Sequence, residues 1–369
     1  MPEAVPLQSD ALGRLRAQID ALDNQLLALL NERARVAEAV GALKREEGST
    51  FFRPDRARQV IARIQAENAG PLQDAHVAAV WREIMSACLA LEAPQRVAVL
   101  GPEGTFTEQA ALTFFGSATE LIYCQSFDEV FHATAAGTTQ FGVVAVENST
   151  EGGVSRSYDL FLHSPVHIVG EVSLLVRHNL LRQTAGMEGI EAVLAHPQAL
   201  MQCHRWLTHH LPQAERRAVA SNGEGARLAA SNAQWACLAG EHAAARFGLH
   251  MVAQGIQDEA HNRTRFAVIC LPQTLATPAA TGNDCTSLVV SVPNRPGSVH
   301  DMLNPLKKHG VSMTRFESRP ARSGQWEYYF YIDIAGHPEQ PPVQAALDEL
   351  QQQCAFFKIL GAYPRDPGV

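Results

Sequence analysis

Val97-Ala98-Val99-Leu100-Gly101-Pro102-Glu103-Gly104, beginning just after Pro94, marks a change of texture in this 369-residue chain. Four apolar residues in succession, a loop of Gly and Pro, and helical spacing from Thr107 onward read as strand, tight loop and helix. The same grammar returns downstream. Residues 141–146 form an apolar run ending in Glu147-Asn148-Ser149-Thr150, and residues 190–194 run into His196-Pro197. Strands that alternate with helices imply a parallel sheet, whose ligands bind at the carboxyl ends of the strands. The polar residues just named lie there.

Toward the N-terminus the texture is helical. Leu12, Leu15, Ile19, Leu22, Leu26, Leu29, Val36, Val40 and Leu43 recur at intervals of three and four, interrupted only at Arg33. This is a heptad seam along one long helix. Ser9 or Asp10 can cap its start and Gly48 can end it, which makes it about 35 residues, or roughly 50 Å at 1.5 Å per residue. A small domain has no use for such a helix alone. Two further helical stretches, 56–68 and 75–92, are parted by Gly70-Pro71, so the first ninety residues read as all-helical and dimeric.

Toward the C-terminus, residues 272–284 lack periodicity and are rich in turn formers, which marks a linker. Beyond it strands are expected at 287–292, 313–317, 327–334 and 356–360, with helices at 299–309 and 343–354. That β-α-β-β-α-β order is the ferredoxin-like unit.

Composition agrees with several globular cores: 46% of residues are hydrophobic and 18% charged. A net charge of −8 disfavours nucleic acid and anionic membrane as partners. The seven cysteines show no CxxC-type spacing, so no metal site is expected and they read as buried thiols of a reducing compartment. Glu3 and Asp10 stand where a signal sequence would be basic, and no apolar run reaches the roughly 18–20 residues that span a bilayer. A cytoplasmic protein is expected.

Arg33 occupies a seam position that the periodicity reserves for an apolar side chain, and a buried cation must be compensated. Lys44, about three turns further on, projects from nearly the same face. One bound dianion would compensate both. A buried Arg–Glu pair beside a solvated Lys would serve as well.

Leu15-Arg16, Leu26-Leu27-Ala28-Leu29-Leu30-Asn31-Glu32-Arg33, Lys44 and Arg53-Pro54-Asp55-Arg56 together resemble the helical chorismate mutase family, over residues 9–93. The resemblance implies an intertwined homodimer in which Arg33, Lys44 and Arg56 line one site and the partner subunit's Arg16 reaches across. Glu92 falls on the family's contact to the ether oxygen, and Cys88 on a small polar position one turn earlier. Ala57 departs, because many relatives place there a Glu that holds the substrate hydroxyl. The implied reaction, chorismate to prephenate, is unimolecular; it needs a held conformer and charge stabilisation at the breaking ether oxygen.

Gly101-Pro102-Glu103-Gly104-Thr105-Phe106, Val146-Glu147-Asn148-Ser149, His196-Pro197-Gln198 with Gln202, and Asn262-Arg263-Thr264-Arg265-Phe266 resemble prephenate dehydratases over residues 96–271. The resemblance implies a two-lobed, periplasmic-binding-protein-like α/β fold with prephenate in the cleft. Thr264 would assist departure of the ring hydroxyl, Arg265 would bind a carboxylate, and Asn148 and Gln202 would orient the substrate. Lost hydroxide needs a donor, and aromatisation accepts the electrons left by CO2, so no cofactor is expected. Ala195 departs from the Ser that relatives commonly carry before His-Pro.

Pro293-Asn294-Arg295-Pro296-Gly297 and Glu317-Ser318-Arg319-Pro320 resemble an ACT regulatory domain, with Gly297-Ser298-Val299 standing where relatives have Gly-Ala-Leu or Gly-Ala-Val. The resemblance implies an L-phenylalanine site at a paired-domain interface, through Asn294, Gly297, Glu317, Ser318 and Arg319. Taken together the resemblances imply a multidomain enzyme of phenylalanine synthesis in separately folded parts. These are an all-α mutase (1–93), a two-lobed α/β dehydratase (94–271), a linker (272–284) and an α+β ferredoxin-like ACT domain (285–369), in a homodimer or higher homo-oligomer. Two alternatives stay open. One is a prephenate or arogenate dehydratase whose mutase portion is a dimerisation scaffold, favoured by Ala57; the other is a non-catalytic amino-acid sensor, favoured by Ala195.

Overall fold

The structure, a computed structural model, describes residues 7–48, 52–275, 277–321 and 327–366. It opens with α1 (Leu7–Glu47), α2 (Pro54–Ala66) and α3 (Asp74–Glu92). Helix α1 runs for 41 residues from Leu7, and the side chains of the expected caps, Ser9 and Asp10, lie outside the described residues. Gly48, at φ 65°, ends it as expected. Pro54 opens α2, where its missing N–H costs nothing. Helices α1 and α3 meet at Gly41: a Cβ there would come within 2.9 Å of the Glu92 Cα, so glycine permits the approach.

The first lobe of the next region contains β1 (Arg96–Leu100), α4 (Phe106–Phe115), β2 (Glu120–Cys124), α5 (Phe127–Ala135), β3 (Phe141–Asn148), β4 (Gly152–Gly153), α6 (Ser155–His163) and β5 (His167–Leu175). The chain then builds a second lobe from β6 (Asn179–Arg182), β7 (Ala192–Ala195), α7 (Pro197–Gln202), α8 (His204–His210), β8 (Glu215–Ala218), α9 (Asn222–Ala229), β9 (Trp235–Ala239), α10 (Glu241–Phe247) and β10 (His250–Ala253). It returns to the first lobe with β11 (Arg263–Cys270). The sheet orders are β2-β1-β3-β11-β5, with β4 paired to β3, and β10-β6-β9-β7-β8.

Both sheets are mixed, which corrects the expectation of a parallel sheet. Strands β1, β2 and β3 are parallel, as are β7, β8 and β9. Apart from the short β3–β4 pairing, the antiparallel pairings involve β5, β6, β10 and β11, the four strands that enter or leave a lobe at the two crossings. A strand arriving from the other lobe has no crossover helix to keep it parallel. Thr105, Ser126 and Ser221 cap α4, α5 and α9, each accepting from the N–H of a Glu three residues on. This is the Ser/Thr-x-x-Glu signature of a helix start.

The last region is β12 (Asp284–Ser291), α11 (Ser298–Lys308), β13 (Met313–Pro320), β14 (Tyr328–Ala335), α12 (Pro341–Gln353) and β15 (Phe356–Pro364). Its antiparallel sheet has the order β13-β14-β12-β15. The expected β-α-β-β-α-β unit is present.

The regions are not separately folded. One buried cluster joins Val144, Val146, Ile168 and Ile269 of the first lobe to Cys285, Val289, Tyr331 and Leu360 of the C-terminal sheet. Gly361 lies so close to β5 that a Cβ would sit 2.0 Å from the Ile168 carbonyl oxygen. On the helical side Phe52, between α1 and α2, packs among Phe114, Phe115 and Phe141 with ring centroids 5.1–5.8 Å apart. Among the described residues no helix is long and apolar enough to cross a membrane, and no group of three or more His, Cys, Asp or Glu could hold a metal ion.

Candidate active sites

A cleft of about 980 Å³ opens between the two lobes, lined by Thr264, Asn148, Gln202 and His178 and walled by Phe106, Phe127 and Phe266. Asn148 and Thr264 are direct partners in the β3–β11 ladder. The Asn148 amide Nδ2 donates to Thr264 Oγ1 at 3.0 Å, while its Oδ1 accepts from the Thr150 backbone N–H at 3.0 Å and from the Thr150 hydroxyl at 2.6 Å. A backbone N–H can only donate, so it fixes which way the amide points. Thr264 Oγ1 therefore accepts from Asn148 and keeps its own hydrogen for a third group. Among the described residues the cleft lining contains no Lys or Arg. The first turns of α4 and α9, ends that favour an anion, reach the lining at Thr105, Phe106, Ser221 and Asn222, beside the carboxylates of Glu151 and Glu224.

Gln202, at the end of α7, bonds in two directions. Its Oε1 lies 2.9 Å from His178 Nε2, and its Nε2 donates to Glu151 Oε1 at 3.0 Å. Burial pushes the His178 imidazole below its ordinary value against the pull of Gln202. Glu108, under the start of α4, is raised by burial but held below the ordinary carboxylate range by His242, whose Nε2 lies 2.9 Å away, and by the Gly104 N–H. That contact and the Glu103–Arg246 pair at 2.6 Å tie the lobes together beside the cleft.

Arg265 is not in the cleft, which corrects its expected role. Thr264 and Phe266 line it, so the intervening side chain leaves the other face of β11. There Arg265 meets Asp333 of β14 at 2.5 Å, Glu171 of β5 at 3.5 Å and Glu147 of β3 at 3.7 Å. Glu147 also pairs with Arg315 of β13 at 3.1 Å. Burial raises the Asp333 carboxyl, but Arg265 and Ser287 outweigh it and hold the group below its ordinary value. Burial dominates at Glu171, whose carboxyl is raised although Arg265 opposes this. The guanidinium belongs to an ionic junction between lobe and C-terminal sheet.

A second cleft, of about 900 Å³, lies under the N-terminal helices and gathers Arg33, Lys44, Arg56, Cys88 and Glu92. Lys44 Nζ donates to Glu92 Oε2 at 2.9 Å, and Arg45 holds the Glu92 carbonyl at 2.6 Å. Arg53, Arg58 and Arg82 also line it, and its far wall is Phe114, Phe115 and Val172 of the first lobe. Arg53 is paired to Asp55 at 2.6 Å. Arg16 lies outside this cleft on the exposed run of α1.

In the C-terminal sheet Gly297 takes φ 86° at the start of α11, a conformation that glycine adopts freely. Asn294 precedes it in an exposed turn. Glu317, Ser318 and Arg319 lie together on β13, which is an edge strand. Arg319 turns back onto α6, bonding Asp159 at 3.2 Å and Ser155 at 2.7 Å.

Sequence reading missed Glu151, His178 and Gly41. A lone Gly inside a heptad run signals a close approach, so Gly41 was findable. The other two declare themselves only through a partner distant in sequence, Gln202.

Residues 15–93 match the type II chorismate mutase family, 97–274 the prephenate dehydratase family and 286–352 the ACT domain family. The chain is 47% identical over 352 residues to a bifunctional chorismate mutase/prephenate dehydratase of Neisseria gonorrhoeae, with 95% of this chain and 96% of that one covered. It is 43% identical to the protein so named from Pseudomonas aeruginosa, with 96% and 98% covered. A crystal structure of the prephenate dehydratase of Arthrobacter aurescens in complex with L-Phe superposes with a TM-score of 0.67 at 31% identity, covering 73% of this chain and 90% of that one.

Proposed function

The chain belongs to the bifunctional chorismate mutase/prephenate dehydratase family, and from that premise we propose how its two clefts divide the work. The enzyme converts chorismate to prephenate and prephenate to phenylpyruvate, with L-phenylalanine as feedback effector. The reading is carried by one observation: motifs scattered along the chain assemble into two separate clefts, each with the electrostatics its reaction needs.

In the helical cleft Arg33 and Arg56 hold the two carboxylates of chorismate in the folded conformer, and Lys44 with Glu92 meets the ether oxygen as its bond breaks. No nucleophile is required, because cations placed where charge develops lower the barrier of a unimolecular rearrangement. Cys88 lies beside the bound ring. The site is completed by a second copy. Leu15, Ile19, Leu22, Leu26 and Leu29 are 56–61% exposed along α1 in heptad order, and such a seam calls for a partner helix. The homodimer brings in the partner subunit's Arg16.

In the interlobe cleft the free O–H of Thr264 donates to the departing ring hydroxyl, while the C–C bond to the ring carboxylate breaks and its electron pair aromatises the ring. Asn148 aims Thr264, and Gln202 orients the substrate. The missing cation has a reason: a guanidinium on the ring carboxylate would stabilise the charge that must be given up as CO2, whereas an aromatic wall does not. Phenylalanine binds at paired C-terminal sheets through Asn294, Gly297, Glu317, Ser318 and Arg319. We place the enzyme in the cytoplasm, in keeping with seven free cysteines.

Pure protein given chorismate should consume it and release phenylpyruvate, and phenylalanine should slow the release. Phenylpyruvate from prephenate but none from chorismate would leave the helices as a scaffold. Neither activity would leave only a sensor.

A further inference from the structure

His178 sits on the first of the two segments that cross between the lobes. Its backbone is tied to the second crossing: His178 N–H donates to Gln257 Oε1 at 3.0 Å, and Ile256 N–H donates to the His178 carbonyl at 2.9 Å. The residue is 2% exposed, its ring packs edge-on against Phe106 with centroids 5.8 Å apart, and it contributes to the cleft lining. Its other nitrogen, Nδ1, has no hydrogen-bond partner in the protein.

Two features set this residue apart from packing. A phenylalanine or methionine would fill the same space without burying an unsatisfied nitrogen, so the imidazole is kept for what Nε2 does. Its one side-chain bond is to Gln202, whose amide is in turn constrained from the far lobe. An ionised carboxylate only accepts, so Glu151 requires the Gln202 N–H2 on its side and leaves Gln202 Oε1 facing the ring. Nε2 must then carry the hydrogen. With Oε1 engaged by His178, one N–H of the amide goes to Glu151 and the second is left to the cleft.

We infer that His178 is a positioning residue of the dehydratase: a donor on the hinge that locks the Gln202 amide with its N–H2 toward prephenate. Without it the amide is held by Glu151 alone and can swing about that one bond, carrying its second N–H away from the cleft. The role resembles that of outer-shell partners that orient a ligating side chain without touching the reacting atoms. It rests on the assignment of Gln202 to substrate orientation made above.

Methionine and glutamine are close in size, but only glutamine keeps a donor near the Nε2 position, so the pair reads the hydrogen bond apart from packing. His178→Met should lower dehydratase kcat/KM by roughly tenfold to a hundredfold, and His178→Gln should recover most of it. The double variant His178→Met/Gln202→Met should be no slower than Gln202→Met alone, since the histidine acts only through that amide. Chorismate consumption by the same preparations reports that each variant is folded. Equal losses in His178→Met and His178→Gln would reduce the residue to packing and overturn the inference. Losses that multiply in the double variant would overturn it too, by showing that His178 acts elsewhere. A Gln202→Met enzyme with wild-type rates would instead overturn the Gln202 assignment on which the inference stands.

Discussion

The helical cleft is lined by Arg33, Lys44, Arg56 and Arg82, whereas the interlobe cleft is lined by aromatic rings, amides, hydroxyls and the carboxylates of Glu151 and Glu224, and among the described residues by no basic side chain other than histidine. On the assignment proposed above, both clefts receive a dianion. The difference follows from what happens to the charge. A mutase substrate keeps both carboxylates and moves electron density toward an ether oxygen, so fixed cations help throughout. A dehydratase substrate discards one carboxylate as CO2 and one hydroxyl, and the catalyst must direct a hydrogen at one oxygen while leaving the departing carboxylate poorly stabilised. On that assignment one chain uses cations where charge is retained and neutral donors where it is lost.

The comparison breaks most directly at Thr264. Thr264→Val keeps the shape and removes the O–H, and it should lower phenylpyruvate formation by roughly 10²–10⁴ with chorismate loss unchanged in the same sample. A near-normal dehydratase rate would remove Thr264 from the chemistry. The mirror change is Arg33→Ala, expected to cost the mutase roughly 10²–10³ while prephenate turnover stays within a few-fold. Joint collapse of both activities in folded protein would end the two-cleft account.

Arg265 sharpens the comparison, because it is the cation the interlobe cleft does not contain. Arg265→Met leaves Asp333 and Glu171 buried without their shared partner, and should destabilise the chain by about 3–5 kcal/mol in denaturant unfolding. A variant of native stability but with a raised KM for prephenate would return Arg265 to the substrate. For the same reason, cutting the chain within 272–283 should yield a weakly folded dehydratase, since the apolar cluster it shares with the C-terminal sheet would be exposed.

The smallest effect concerns salt. Partly exposed cations are screened as the Debye length falls from about 10 Å at 0.1 M to about 3 Å at 1 M. KM for chorismate should rise a few-fold over that range, and KM for prephenate by less. Equal salt dependence would show that the charge contrast between the clefts is not felt by the substrates.

Much of this was legible beforehand because it depends on neighbours in sequence. Heptad spacing from Leu12 to Leu43 declares one long helix, Gly101-Pro102 closes a strand, and the β-α-β-β-α-β order specifies the last sheet. The residue types of the two sites, Arg33 with Lys44 and Thr264 beside Arg265, stand in motifs that can be read without coordinates. What those side chains face could not be read. Strand alternation sends Thr264 into the cleft and Arg265 into an ionic junction, and which face is which depends on the C-terminal sheet packing across β11, with Asp333 68 residues away. The mixed sheets depend on where the chain crosses between lobes. Asn148 aiming Thr264 and His178 aiming Gln202 are bonds between segments 116 and 24 residues apart. Local propensity and periodicity are properties of adjacent residues and are written in the sequence; the orientation of a side chain toward a partner is settled only when distant segments pack and each buried polar atom must find its bond.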